Sequence, residues 1–179
     1  MANVILGVSA SAACFKAAAF ASLLTKEGHH VQTVLTPSAT NFVTELQFSC
    51  LTGVRSISKE MLEHSQDGME HIRFAREADC MIIMPATANI IGQIANGLAP
   101  NLLTALCLAV RPTLPRFLVP SMNPTMFENI AVQNNLSLLK KMEWRVLGPT
   151  EGVTACGDSG SGRMLEPQEI FQTIKEFLN

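Results

Sequence analysis

Short apolar runs alternate with longer amphipathic segments along the chain of 179 residues. An apolar run of roughly four to eight residues between turn-forming residues is typical of a strand buried on both faces. Because parallel strands are joined by crossovers that are usually helices, the alternation predicts an α/β sandwich with a doubly wound parallel sheet. Strands are expected at Asn3–Val8, Val31–Leu35, Met81–Met84, Phe117–Val119 and Arg145–Leu147, and helices at Ala10–Lys26, Ser38–Gln47, Asn89–Ala95, Asn101–Val110, Asn129–Met142 and Pro167–Leu178.

The whole chain, residues 1–179, is expected to form a single domain of this Rossmann-like or flavodoxin-like class. Its length suits one core, and it contains no repeat, low-complexity tract or linker. One Gly/Ser-rich stretch, Gly152–Arg163, lies close to the C-terminus. Its glycines predict a mobile loop, spanning residues 152–165, that is flexible enough to close over a site.

Composition narrows the classes of function. Hydrophobic residues make up 47% of the chain and charged residues 16%, which excludes disorder and favours an oligomer that buries apolar surface. A net charge of −2 without a basic run argues against nucleic acid or an anionic membrane as a partner. No apolar run is long enough to span a bilayer and no signal peptide is evident, so a cytoplasmic location is expected.

The five cysteines form no C-x-x-C pair and show no zinc-like spacing with the histidines, so no metal site is expected. Four of them, Cys14, Cys50, Cys80 and Cys107, are interpreted as small buried residues in a reducing compartment. Cys156 differs because glycine, aspartate and serine surround it.

Small polar residues follow the carboxyl ends of four predicted strands, next to Pro or Gly. In an open parallel sheet, these strand ends border the crevice in which ligands bind. One such turn is as consistent with a helix cap as with a binding site, but four around one crevice favour a flat polar ligand with a phosphate tail. The four turns are Gly7–Ala12, Thr36–Phe42, Met84–Asn89 and Pro120–Met126.

The last of these turns holds the most informative residues. Asn123 lies between Met122 and Met126, just past Pro120, which lacks an N–H and ends a buried strand. An amide can hold a carboxylate or the edge of a heterocycle, and methionine side chains can pack against a flat ring. The alternative is a loop in which Asn123 caps the next helix and the methionines fill the core.

The first turn, Gly7–Ala12, leads into the N-terminus of a predicted helix. Gly7 allows close approach of the backbone, Ser9 and Ser11 offer hydroxyls, and free N–H groups favour an anion. The turn is neither G-x-G-x-x-G nor a P-loop, so a single phosphate, as in a mononucleotide, fits better than a dinucleotide or a nucleoside triphosphate. The alternative is that Ser9 is an ordinary N-cap.

Two further residues could carry chemistry. His71 lies on a predicted short helix before the third strand, although a lone histidine is more often structural than catalytic. Cys156 lies in the glycine-rich loop, where Arg163 or the helix after Glu166 could lower the pKa of its thiol. The alternative for Cys156 is an incidental cysteine in a surface loop.

Four segments together resemble the flavin-dependent cysteine decarboxylases, and the resemblance covers essentially the whole chain. Gly7–Ala12 followed by Lys16 is similar to the flavin loop of that family. Pro85-Ala-Thr-Ala-Asn89 is similar to its Pro-Ala-Ser-Ala-Asn signature, and Pro120-Ser-Met-Asn-Pro-Thr-Met-Phe127 to its Pro-x-Met-Asn-x-x-Met-Trp signature. Ala155-Cys-Gly-Asp-Ser-Gly-Ser-Gly-Arg-Met164 is similar to the substrate-clamp motif of the pantothenate-type members.

The resemblance implies FMN as the cofactor, held at the subunit interfaces of a homotrimer or of a dodecamer built from trimers. The first loop and Ser38 would hold the phosphate and ribityl chain, and Phe42 with Thr87–Asn89 would line the isoalloxazine. The expected cofactor-binding residues are Gly7, Ser9, Ser11, Ser38, Phe42, Thr87, Ala88, Asn89 and Met122.

By the same resemblance, three residues are expected to be catalytic. His71 would be the active-site base or orienting group, Asn123 would bind the substrate carboxylate, and Cys156 would supply a proton late in the reaction. The expected substrate-binding residues are Met126, Arg76, Ala155 and Gly157.

The implied activity is that of a carbon–carbon lyase in coenzyme A biosynthesis. It would decarboxylate 4′-phosphopantothenoylcysteine to 4′-phosphopantetheine through flavin oxidation to a thioaldehyde, loss of CO₂ and re-reduction. The Cys156 loop favours this complete cycle, because lantibiotic-type members stop at the enethiol and lack the loop. Since the chain ends at Asn179, the preceding synthetase step is expected to belong to a separate protein.

Three alternatives remain open. A peptidyl-cysteine oxidative decarboxylase of the lantibiotic type would differ only in its substrate. A flavin prenyltransferase has a similar fold but usually a different first loop and phosphate-binding arginines. A non-catalytic flavin-binding regulator would usually carry altered catalytic residues, whereas His71, Asn123 and Cys156 are all present here.

Overall fold

The computed structural model describes residues 1–58 and 69–178. Within these residues, six parallel strands form one sheet, with the strands at β1 (Asn3–Val8), β2 (His30–Leu35), β3 (Ile57–Ser58), β4 (Cys80–Ala86), β5 (Arg116–Pro120) and β6 (Trp144–Val146). Their order is β3-β2-β1-β4-β5-β6, so the direction of winding reverses between β1 and β4. This confirms the predicted doubly wound sheet and places the expected ligand crevice beside the ends of β1 and β4.

Helices cover both faces of this sheet. On one face α1, α2 and α8 contact one another, and on the other face α3, α4, α5 and α7 form a second contacting group. The helices are α1 (Cys14–Lys26), α2 (Glu45–Thr52), α3 (Glu70–Glu77), α4 (Ala88–Ala95), α5 (Leu102–Ala109), α6 (Pro124–Glu128), α7 (Ile130–Lys141) and α8 (Pro167–Ile174), with 3₁₀ helices over Pro37–Asn41 and Lys175–Phe177.

The central strand β4 shows why the apolar runs predicted the sheet well. Every residue of β4 is buried, and successive side chains of a strand point to opposite faces. Ile82 and Met84 therefore lie in the core under α1 and α8, while Met81 and Ile83 lie in the core under α4 and α5. A strand between two apolar layers needs an unbroken apolar sequence, and the run from Met81 to Met84 meets that need.

Gly7 has a packing role, and its predicted contact with a ligand stays a prediction. It lies inside β1, and a Cβ built on it would be 2.6 Å from both Ile83 Cδ1 and Leu103 Cδ1. Leu103 belongs to α5, so the missing side chain lets this helix approach the sheet closely. The close approach that Gly7 allows in this structure is therefore the one between helix and strand.

Two predicted helices differ from the observed ones for local reasons. Helix α1 begins at Cys14, not at Ala10, because Ser11 Oγ accepts from Ala13 N–H at 3.2 Å and closes a separate turn. The helix predicted over Ser38–Gln47 is split into a 3₁₀ helix and α2. The Thr44 side chain accepts a hydrogen bond from Gln47 N–H and caps the N-terminus of α2, which is therefore a separate helix.

The interpretation of four cysteines as buried is wrong for one of them. Cys14, Cys80 and Cys107 are buried, and burial raises the pKa of Cys80 and of Cys107 to about 12. Cys50 is exposed on α2, whose burial is limited mainly to Phe48 and Thr52. A short helix with one narrow buried side leaves its other positions in solvent, and the sequence pattern did not separate the two sides.

The Gly/Ser-rich segment predicted as a loop contains an antiparallel hairpin. Its strands are β7 (Thr150–Val153) and β8 (Ser159–Arg163), and Gly152 lies opposite Gly160. The turn between them is closed by Thr154 N–H donating to the Asp158 carbonyl at 2.9 Å. Glycine and serine lack the apolar alternation that marks a strand, so the hairpin left no sequence signal. Its mobility stays a prediction.

In the part of the chain that the structure describes, no helix has the length and apolar character needed to cross a bilayer.

Candidate active site

Two adjoining cavities lie at the carboxyl edge of the sheet. The first has a volume of about 530 Å³ and lies over the ends of β1, β2 and β4. The second, of about 480 Å³, lies between α1, the loop after β5 and the hairpin β7–β8. Ser11, Ser121 and Met122 line both cavities, so the two open into one another. The ligand crevice expected from the strand ends is therefore present.

The first cavity brings together most of the residues predicted to bind the cofactor. Met126, predicted to contact the substrate, also lies in its wall. The cofactor-binding candidates that line it are Ser9, Ser11, Ser38, Thr87, Ala88, Asn89 and Met122.

A hydroxyl pair joins the ends of β1 and β4 at the floor of this cavity. Ser9 Oγ donates to the Pro85 carbonyl at 2.8 Å and accepts from Thr87 N–H at 3.1 Å. Thr87 Oγ1, 3.2 Å from Ser9 Oγ, also accepts from Ile90 N–H at 3.4 Å and so caps α4. The alternative interpretation of Ser9 as the N-cap of α1 is wrong, since that position belongs to Ala13.

Asn123 caps a helix, as one of its two interpretations predicts, while its contact with a ligand stays a prediction. Its Oδ1 accepts from Thr125 N–H at 2.8 Å and caps α6. Because the cap requires an oxygen there, the amide nitrogen must face the second cavity. That nitrogen donates to Cys156 Sγ at 3.2 Å and to the carboxylate of Asp158. The helix cap thus fixes which end of the amide is offered to a ligand.

Cys156 lies at the tip of the hairpin, exposed and beside this amide. Its Sγ is 3.0 Å from Thr154 Oγ1. Hydrogen bonds from Thr154 and then Asn123 lower the pKa of the Cys156 thiol below its ordinary value, because both favour the thiolate. Arg163, suggested from sequence as a cause, instead pairs with Glu166 Oε1 at 2.9 Å. That part of the prediction is wrong.

Strand β8 attaches the hairpin to the loop that follows β5. Met122 N–H donates to the Gly162 carbonyl at 3.1 Å. Lys16, whose side chain is 11% exposed, donates from Nζ to the Met164 carbonyl at 3.0 Å and to Glu166 Oε1 at 2.8 Å. The bond from Lys16 is the main reason that the pKa of Glu166 is lowered. These contacts keep the base of the hairpin over the second cavity, while its tip is held by the bonds from Asn123 to Cys156 and Asp158.

Several predicted site residues are not brought together with Asn123 and Cys156. His71 and Arg76 lie on α3, which packs against α5, and neither lines the two cavities. Phe42 ends the 3₁₀ helix with 55% of its surface exposed, and it also lies outside both cavity walls. Ala155 and Cys156 line the second cavity, whereas Gly157 does not.

Other residues in the two walls were not identified from the sequence as site residues. Ser121 Oγ lies 3.2 Å from Ser11 Oγ and joins the first loop to the end of β5. Asn101 lines the first cavity and caps α5 through a reciprocal bond with Thr104. Two features of the sequence could have indicated these site residues: the Pro-Asn pair before α5 and the serine inside the Pro120–Phe127 motif. Each looks like an ordinary turn until neighbouring strands place it beside the cavity.

All 179 residues match the sequence model of the family described as Flavoprotein. A "Probable phosphopantothenoylcysteine decarboxylase" of Streptococcus mutans is 38% identical over 98% of this chain and 98% of its own length. The "Coenzyme A biosynthesis bifunctional protein CoaBC" of Bacillus subtilis is 39% identical over 97% of this chain. The match covers only 42% of that protein, so the chain spans less than half of such bifunctional relatives.

Solved structures agree over nearly the full chain. A PPC decarboxylase mutant complexed with pantothenoylaminoethenethiol superposes with a TM-score of 0.86 and 31% identity, covering 98% of this chain and 97% of that one. "The FMN binding protein AtHal3" gives a TM-score of 0.84 and 31% identity, covering 98% and 96% respectively.

Proposed function

Because the chain belongs to the flavoprotein family, we propose that it is an FMN-dependent decarboxylase converting 4′-phosphopantothenoylcysteine to 4′-phosphopantetheine in coenzyme A biosynthesis. One observation carries this proposal beyond family membership. The Asn123 amide and the Cys156 thiol lie 3.2 Å apart beside a cavity lined by hydroxyls and methionines. This arrangement pairs a carboxylate-binding group with a proton donor.

The first cavity has the donor set and volume that suit FMN. At about 530 Å³ it falls within the range of cofactor sites. Ser11 and Ser38 would hold the phosphate and ribityl chain, while Thr87 and Asn89 would meet the edge of the ring and Met122 its face. When bound, the flavin supplies the two-electron oxidation and reduction that make loss of CO₂ possible.

The second cavity supplies the groups that act on the substrate. Asn123 would donate its amide N–H to the substrate carboxylate and orient it for loss of CO₂. Cys156 would hold a proton at Sγ and deliver it to substrate carbon after CO₂ has left. The lowered pKa of this thiol makes it a readier proton donor than an ordinary cysteine.

We further infer that the active form is a homotrimer, or a dodecamer built from trimers, in which a second copy brings His71 to the cavities. Large apolar side chains around the cavity mouths support a partner surface. Phe15 in the wall of the second cavity is 66% exposed and Met126 in the wall of the first is 50% exposed, and Phe42, outside both walls, is 55% exposed. Burying such side chains against another subunit would favour association.

Mixed subunits test this assembly. Neither a His71→Asn protein nor an Asn123→Ala protein should release CO₂ alone. If His71 and Asn123 of one site come from different copies, mixed oligomers should regain about a quarter of the wild-type activity, because random mixing assembles that fraction of unmodified sites. CO₂ release after unfolding and refolding the two proteins together is the measurement. Full inactivity of the mixture, with normal oligomer size, would contradict the proposed sharing.

The proposed function itself is tested by product analysis. We expect the purified protein to be yellow and to convert 4′-phosphopantothenoylcysteine into CO₂ and 4′-phosphopantetheine, measured by mass spectrometry. A peptide ending in cysteine serves as the control substrate and should react far more slowly. Colourless protein that takes up no added FMN, or preferential turnover of the peptide, would count against the assignment.

A further inference from the structure

We propose that Asp158 acts as a latch that occupies the Asn123 amide until a carboxylate-bearing ligand displaces it. In the substrate-free protein its carboxylate accepts the Asn123 amide N–H that the substrate carboxylate would take. Binding then exchanges one carboxylate for another and frees the Asp158 side chain. This inference rests on the proposed role of Asn123 in the decarboxylase.

The contacts of Asn123 make the competition direct. Its Oδ1 is occupied by Thr125 N–H at 2.8 Å, so only the amide nitrogen remains for a ligand. That nitrogen faces Asp158 and Cys156. A substrate carboxylate cannot bond to the amide while the Asp158 carboxylate is in place, because like charges repel at such short range.

The Asp158 side chain is free to leave without unfolding the turn. The main-chain carbonyl of Asp158, not its carboxylate, accepts Thr154 N–H at 2.9 Å and Thr154 Oγ1 at 3.0 Å. The side chain is exposed, and its further contact is a 3.5 Å approach of Oδ2 to Cys156 Sγ. Displacement therefore also removes a negative charge from beside the thiol.

The latch distinguishes substrate from product. A ligand with a carboxylate can replace Asp158 at the Asn123 amide, whereas the decarboxylated product has no group to do so. Once CO₂ has left, Asp158 can return to Asn123, which assists release of the product. The same exchange lowers the apparent affinity for the substrate by the fraction of molecules in which the latch is open.

The test compares two ligands in the FMN-loaded wild type and in three FMN-loaded variants. In Asp158→Ala, we expect KM for 4′-phosphopantothenoylcysteine to fall about three- to tenfold. A change of this size follows if the latch is closed in most wild-type molecules, because the variant has no latch to displace. The inhibition constant of 4′-phosphopantetheine should stay unchanged. Asp158→Asn keeps a neutral acceptor and should give a KM between those of wild type and Asp158→Ala. Glu151→Gln removes the same charge from the same hairpin and should change neither value.

The two ligands together decide between a latch and a general effect of charge. Tighter binding of both ligands in Asp158→Ala would indicate general electrostatic attraction and overturn the latch. An unchanged or raised KM in an active Asp158→Ala enzyme would overturn it too. If the wild-type protein does not decarboxylate the compound, the proposed function fails on its own. Calorimetric affinities of the same two ligands for wild type and Asp158→Ala then decide the latch by the same comparison.

Discussion

Replacing Gly162 with alanine should lift the hairpin from the sheet edge and remove most of the decarboxylase activity. A Cβ on Gly162 would lie 2.2 Å from the Met122 carbonyl oxygen and 3.2 Å from Pro124 N. Both are backbone atoms that no rotamer change can move, so the bond from Met122 N–H to the Gly162 carbonyl would be lost. Because a misplacement of about 1 Å can cost roughly a hundredfold, we expect kcat/KM to fall by about that factor.

Flavin colour and a second glycine provide the controls for this prediction. Gly162 does not line the first cavity, so bound flavin should remain. Gly92→Ala in α4 places a Cβ at an ordinary 3.5 Å from Asn135 Nδ2 and should leave kcat/KM near that of wild type. Full activity of Gly162→Ala would show that the hairpin need not touch the loop after β5.

Cys156→Ser should separate loss of CO₂ from formation of the saturated thiol. Asn123 and the cavity walls are unchanged, so CO₂ release should continue in air, with dioxygen as the acceptor of the two electrons that are not returned to the product. A serine hydroxyl is a much weaker acid than a thiol and cannot supply the late proton at neutral pH. Mass spectrometry should therefore detect an enethiol lacking a pair of hydrogen atoms relative to 4′-phosphopantetheine. The related PPC decarboxylase mutant complexed with pantothenoylaminoethenethiol is consistent with this expectation.

Cys50→Ser is the matched control for that variant. Cys50 is exposed on α2 and lines neither cavity, so its replacement should leave the saturated product unchanged. Normal formation of 4′-phosphopantetheine by Cys156→Ser would remove Cys156 from the proton-transfer step.

The pH dependence of the product has a definite sign. A proton donor acts only while it is protonated. The pKa of the Cys156 thiol is lowered, and the hydrogen bond from Thr154 is the largest cause of that lowering. As pH rises through this lowered pKa, the share of saturated product should fall before CO₂ release does. Thr154→Val removes that bond and should move the fall to higher pH, and an unshifted profile would contradict this role of Thr154.

The strand pattern predicted the sheet because burial on both faces demands an uninterrupted apolar run. The bounds of β1 agree at both ends with those expected, and β4 extends the predicted Met81–Met84 run only to Cys80–Ala86. The hairpin was missed because Gly152, Gly160 and their neighbours carry no apolar alternation. The two-residue strand β3 was too short to produce a pattern.

The motifs predicted residues that the structure brings together, but they did not predict how those residues meet. Asn123 and Cys156 were expected to act together, and the structure places their side chains in contact. Ser9 and Thr87, predicted separately on two turns, form one hydroxyl pair across β1 and β4. No sequence pattern indicated that Asp158 would occupy the Asn123 amide, because the residues are far apart in the chain and meet only through the hairpin.

By itself the sequence determined the α/β class, five of the six strands of the parallel sheet and the residue types available for chemistry, since these follow from local periodicity and from motifs within single turns. The tertiary structure decided which of those residues meet. It placed Gly7 against Leu103, turned Arg163 to Glu166 and left His71 on a helix outside both cavities. Such contacts depend on how distant elements pack, and packing is set by the shape of the whole core.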